Sequence, residues 1–259
     1  EVEDAGNFTN FTAGLTIAAS NVDFTNCKFA STVAVNDINS SFTNGSITGA
    51  LTISAATTLV NNVTVSSTTT LEATGITIQN STIKNTISAA NGQDVEGLTL
   101  TGNTFDGTAN HEAISIGTGS STNSTITISG NTLSGEITKG IVLSSGKSTI
   151  YNNTIGSSLA AGAGNANIGI DIISGGTHTI GDENQTHNTI DGFAIGIQVA
   201  DAATTSGSFN KFQNNTKDID SNKTSFIEIF KSWFGHAGGP TDDTSQGSGG
   251  TVEGNIEYS

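Results

Sequence analysis

Arginine is absent from this sequence: all eight basic residues are lysines, set against 23 carboxylates, and the formal net charge is −15. That balance repels phosphate, and the arginine forks that read guanine are missing, so nucleic acid is not an expected partner. Methionine is also absent, tyrosine occurs twice and proline once. So little proline suits strands whose amides are nearly all needed for pairing. Cys27 is the only cysteine, which excludes an intrachain disulfide. It leaves the compartment open, because a repeat stack with a continuous core needs no crosslink. Its place beside Asn26 allows two readings, a small buried side chain or a surface thiol able to link chains. No apolar run approaches the roughly 20 residues of a membrane-spanning helix, so no membrane span is expected. The chain starts at Glu1 rather than methionine. This fits a processed precursor, the reading that would imply secretion, or a trimmed chain.

What the chain does contain is a repeat. Phe24-Thr25-Asn26, Phe42-Thr43-Asn44, Val60-Asn61-Asn62 and Ile78-Gln79-Asn80 recur at a constant spacing of 18 residues. Three positions after each asparagine stand Phe29, Ile47, Val65 and Ile83, and nine after it Val35, Ile53, Leu71 and Ala89. A fixed period near 20 with apolar residues in matching phase marks a solenoid. The unit is rich in Thr, Val, Ile, Ser and Asn, which favour strands and turns over helices. Three strands of about four residues joined by short bends consume about 18 residues and return the chain above its start. The expected fold is therefore all-β, a parallel β-helix or β-solenoid; a β-sandwich is the weaker alternative, having no reason to keep such a register. Asparagine at the bend tolerates a left-handed backbone, and its amide can bond to the amides of the coils above and below. Asn26, Asn44, Asn62, Asn80, Asn103, Asn131, Asn153 and Asn188 are thus expected to form one inward ladder.

A single repeated phase argues for one domain over residues 1–259. Residues 1–21 read as an acidic lead-in and first rung without an amphipathic capping helix, so the open end is either crossed by this segment or meets another molecule. Residues 22–90 hold the regular coils. Over residues 91–225 the spacing of the marking asparagines grows to 22 to 35 residues, and the excess is expected in loops gathered on one side. Phe226, Phe230, Trp233 and Phe234 then concentrate aromatic bulk suited to capping the last coil, within a cap and Gly-rich tail over residues 226–259. The whole amounts to about 10 to 11 coils, at roughly 4.8 Å per coil.

Candidate site residues are few. Asn-x-Ser/Thr triplets occur at eleven positions, of which Asn44, Asn62 and Asn80 fall on the expected ladder. Asn7, Asn10, Asn39, Asn123 and Asn184 are the glycosylation candidates, and modification there would mean export. Asp171, alternating with Ile170 and Ile172, is expected to point outward, and Asp218 and Asp220 bracket Ile219 in the same way. An outward acidic column of this kind could hold calcium, the only cofactor suggested. His111-Glu112, and His178 with Asp182, Glu183 and His187, could be gathered by stacking into a metal site, although ordinary exposed polar residues are the simpler reading. Asp242-Asp243 sits in the Gly-rich tail, with nothing rigid to fix the about 5 to 10 Å separation that carboxylate catalysis needs. The pairs Thr99/Thr101 and Thr125/Thr127 raise ice binding, which flat threonine arrays support, but along the sequence they are too few and do not recur rung after rung.

Rungs such as Leu100-Thr101-Gly102-Asn103-Thr104-Phe105, second strands such as Gly169-Ile170-Asp171-Ile172, and the closing Ser232-Trp233-Phe234-Gly235 with Gly239-Pro240 and Gly254-Asn255-Ile256 combine into a pattern. Over essentially the whole chain that pattern resembles the right-handed parallel β-helix repeat superfamily, with its pectate-lyase-like fold and secreted bacterial and archaeal surface proteins. The resemblance implies right-handed coils and an extracellular or cell-surface location. It leaves function open, because the superfamily holds lyases, hydrolases, epimerases, adhesins and structural proteins. Its pectate-lyase-like members use clustered carboxylates for calcium and an arginine or lysine base, and its galacturonan hydrolases use Gly-His-Gly and Arg-x-Lys motifs. This chain has no arginine and neither motif, so no catalytic residue is assigned. The leading expectation is a non-enzymatic structural protein of the cell exterior that assembles with copies of itself into a surface layer, sheath or filament. A polysaccharide-binding or polysaccharide-degrading β-helix, with cell-surface polysaccharide as partner, and an adhesin are the alternatives.

Overall fold

The structure, a computed structural model, describes residues 13–89, 92–117, 125–144, 146–159, 167–181, 187–200, 203–221, 227–230, 232, 251–253 and 256–257. Among these there is no helix. Twenty-seven strands pair into one sheet, which is not closed into a barrel.

The pairings are parallel, and the register explains the 18-residue period: Phe24 lies beside Phe42, Phe42 beside Val60 and Val60 beside Ile78. One period is therefore one circuit of a β-solenoid. Its strands fall into three columns, one for each face. The first continues from Ile78 through Leu100, Ile128, Ile150 and Ile180. The second stacks Phe29, Ile47, Val65, Ile83, Phe105, Leu133, Ile155, Ile190 and Phe212. The third climbs from Leu15 and Val33 through Leu51, Thr69, Ile87, Ile114, Ile141, Ile170 and Ile197 to Ile219 and Val252.

Alternation along each strand turns one side chain in and the next out, as in Val33-Ala34-Val35, which is buried, half-buried, buried. The inward set forms one continuous core from Ile17 to Ile229. Its lower end is aromatic: Phe24 stacks on Phe42 with centroids 5.2 Å apart, and Phe29 meets both rings edge-on at 5.4 and 5.9 Å. Higher coils fill the same space mostly with Ile, Leu and Val, each worth about 1.5 to 3 kcal/mol when fully buried, and with the single rings of Phe105, Phe193 and Phe212. Cys27 is buried within this core, 3 % exposed.

The expected single ladder resolves into two neighbouring columns. Asn26, Asn44, Asn62 and Asn80 share the bend between the first and second faces, all with positive φ (59°, 55°, 54° and 51°). They are exposed rather than inward. Gly102, Gly130 and Asn152 take the same place in later coils with φ of 65°, 64° and 56°, because a left-handed bend favours only glycine and asparagine. Asn103, Asn131, Asn153 and Asn188 stand one residue further on, above Ser81, and are at most 1 % exposed.

Candidate binding surfaces and buried polar sites

The inner asparagine column is a chain of hydrogen bonds. The Asn131 Oδ1 accepts from the Asn103 backbone N–H at 2.9 Å and from Asn103 Nδ2 at 3.0 Å, while Asn131 Nδ2 donates to the Leu100 carbonyl at 2.9 Å and to Asn153 Oδ1 at 3.0 Å. The same pattern links Asn153 to Asn188, and Asn188 Nδ2 continues to Asn210 Oδ1 at 2.9 Å. The ends of the column are hydroxyls: Ser81 Oγ accepts from the Val63 N–H and Ser232 Oγ from the Asn210 N–H, each at 3.1 Å. Asn210 and the terminal hydroxyls were not legible as members of this set from asparagine spacing alone. Aligning on the apolar residue instead, Ile78 with Leu100 and Ile128, exposes the one-residue slip between the two columns.

The acidic candidates do not form an outward column. Asp171 is 3 % exposed and ion-paired with Lys139 at 2.7 Å. Two coils above, Asp220 pairs with Lys217 at 3.2 Å. Asp218 was expected outside and is 2 % exposed. It occupies the corner held in lower coils by Gly140, Gly169 and Gly196, where a Cβ would lie 2.5 to 2.6 Å from the carbonyl oxygen of the coil above. Its Oδ1 accepts from Asn215 Nδ2 at 3.1 Å, and its Oδ2 has no hydrogen-bond partner among the described residues. Burial pushes its pKa up from 3.8 to about 6, against the opposing pull of the Asn215 hydrogen bond.

The histidines also separate. His178, a candidate metal ligand beside Asp182, Glu183 and His187 or else an exposed polar residue, is instead fully buried, in the inward column between Ser148 and Thr205. Its Nδ1 lies 2.9 Å from Ser148 Oγ. With Ser148 itself 4 % exposed, this pair offers no substrate access and reads as a polar layer of the core. His187 is exposed, whereas Asp182 and Glu183 lie outside the described residues. His111 is half-buried, its ring filling the space that a Cβ on Gly107 would need. Among the described residues no three His, Cys, Asp or Glu side chains converge as metal ligands would.

Of the glycosylation candidates, Asn39 is exposed at a left-handed bend, φ 58°, its Nδ2 donating to Asn21 Oδ1 at 3.3 Å and its Oδ1 accepting from Thr57 Oγ1. Asn7, Asn10, Asn123 and Asn184 lie outside the described residues. So do Phe226, Trp233, Phe234, Asp242 and Asp243, and the side chain of Phe230, whose backbone ends the strand Ile227–Phe230.

Two outer surfaces remain. A shallow groove of about 330 Å³ on the third face is lined by Thr70, Ser88, Ser115, Val142, Ser144 and Ile173, hydroxyls and aliphatics without a charge. On the first face the register brings together threonines that the sequence keeps apart: Thr77, Thr99, Thr127, Thr149 and Thr179 stand one above another. The expectation that threonines would not recur from rung to rung is corrected by this stacking, since unequal loops hide an equal register. Comparison with known proteins finds no matching family model, no matching curated protein and no matching solved structure.

Proposed function

We propose that this chain is a non-enzymatic structural protein of the cell exterior, a right-handed parallel β-helix stiffened by its asparagine ladder, that stacks on copies of itself into a surface layer, sheath or filament. The observation that carries this reading is the edge of the first described coil. In the strand Leu15–Ile17 the Leu15 N–H donates to the Thr32 carbonyl and the Ile17 carbonyl accepts from the Asn36 N–H, both at 2.9 Å. Both bonds run toward the second coil. By the alternation of parallel pairing, the amide and carbonyl of Thr16 face the other way, and no strand among the described residues pairs there. Every coil presents its neighbour with the same three-sided parallel template, so another molecule is an apt partner for that edge. The formal charge of −15 fits assembly bridged or tuned by cations.

The polysaccharide reading draws less support. The groove beside Ser88 and Ser115 has neither an aromatic platform nor paired carboxylates, and Phe105 and Phe193, rings of the long-loop coils, are fully buried.

Electron microscopy and sedimentation velocity of the purified chain, with and without calcium, test the assembly. End-to-end particles are expected, shortened to single rods by Thr16→Pro, which removes an outward amide without cutting a bond to the second coil. Dispersed wild-type monomers at high concentration in calcium would overturn it.

A further inference from the structure

The threonine column of the first face is periodic and uncharged in a strongly acidic chain. From Ser41 through Leu59, the five threonines and Ser206, no charged residue enters it, although the formal net charge is −15. Charge returns only at its ends, with Asp23 below and Glu228 above. Two residues further along each strand, Thr101 stacks on Ser129 and their hydroxyls meet at 3.1 Å.

Parallel pairing spaces neighbouring threonines about 4.8 Å apart, and positions i and i+2 on one strand about 6.6 Å apart. Threonine is stiff at χ1, so a column of them repeats its hydroxyl and methyl at equal intervals. All five members are half-buried, and binding would cost little side-chain ordering. A column that repeats at a fixed interval suits a ligand with a matching repeat. Crystalline water is such a ligand: its oxygen lattice has a spacing close to the strand separation, every hydroxyl can replace a lattice water, and the methyls fit between. A folded protein partner would instead call for complementary charge or an apolar centre, and a glycan chain for aromatic platforms. The column itself carries no charge, a single Lys147 stands beside it between Thr125 and Thr177, and the one ring nearby is Tyr151.

We propose that the first face, centred on Thr99, Thr127 and Thr149, binds ice. The site lies on the flank of the solenoid, and its occupancy does not depend on end-to-end stacking.

The test is ice-affinity partition and freezing-hysteresis measurement on the full chain, with circular dichroism as the folding check. Wild type should concentrate in polycrystalline ice and shape growing crystals. Thr127→Tyr should lower the hysteresis at least fivefold, and Thr149→Lys should do the same, beside a column that already tolerates Lys147. Ser66→Tyr, exposed and away from this face, should leave it unchanged. Exclusion of the wild type from ice along with ordinary solutes would overturn the proposal. So would folded Thr127→Tyr and Thr149→Lys variants that partition like wild type, or retention on crystalline polysaccharide without ice shaping.

Discussion

Asn152 and Asn153 are neighbours with different work. Asn152 is exposed and holds φ at 56°, whereas Asn153 is 1 % exposed and spends its amide on the coils around it. The outer position asks first for a left-handed backbone, which glycine supplies at Gly102 and Gly130. Its amides meet only at the exposed surface, as where Asn62 Nδ2 donates to Asn44 Oδ1 at 2.7 Å. In a chain with φ 54° at Asn62, Asn62→Gly is therefore expected to be near neutral and Asn62→Ala to cost about 1 kcal/mol, read from urea melts. The inner position asks for an amide. Asn131→Ala strands the Asn103 N–H in the core, bonded at 2.9 Å by Asn131 Oδ1, and removes the amide that donates to the Leu100 carbonyl; a loss of about 2 kcal/mol is expected, at roughly 1 to 3 kcal/mol for an orphaned buried group. A single-residue composition cannot separate these roles. Asparagine satisfies both, and only the apolar residue two or three places earlier shows which column is meant.

Among the described residues, the strand-and-corner element carries the one strongly perturbed acid. Gly140, Gly169 and Gly196 leave the corner of the third face without side chains, and Asp218 breaks that column with a buried carboxyl. Its folded-state pKa of about 6 stands above its ordinary value of 3.8, so the folded chain binds this proton more tightly than the unfolded chain. The stability it contributes is complete below pH 3.8 and is lost as pH rises through about 6. That difference corresponds to about 3 kcal/mol as an upper figure. Asp218→Asn should thus flatten the dependence of Tm on pH over this interval and leave the variant more stable than wild type at pH 7.5. An unchanged profile would place the titration elsewhere. The sequence pattern Asp218-Ile219-Asp220 reads as out-in-out, and it misleads because the corner interrupts the strand register between Lys217 and Ile219.

At the scale of the whole molecule, the stack has the thermodynamics of a repeat array, each coil bonded to the next one above and below. Removal of one full circuit, residues 42–59, joins Ser41 to Val60 in the phase that Phe42 held, since the two are paired in register. The shortened chain should fold with near wild-type circular dichroism and a slightly lower Tm. Removal of residues 42–58 differs by one residue and should abolish the cooperative melt, because the slip turns every side chain in the following strands to the wrong face. The three-strand circuit was legible because the first coils carry almost no insertion. Beyond Ala89 the register persists across unequal loops, with Thr99 beside Thr127 and Thr149 beside Thr179, and the threonine column was invisible for that reason.

Repetition in the chain was enough to establish a β-solenoid, its period and its inward apolar positions, because alternation and equal spacing are properties of order along the chain. Which asparagine column is buried, where Asp171 and Asp218 point, and which threonines stand together depend on distances across coils. Those distances are set where loops of different length return to a common register, and stacking alone brings them into contact.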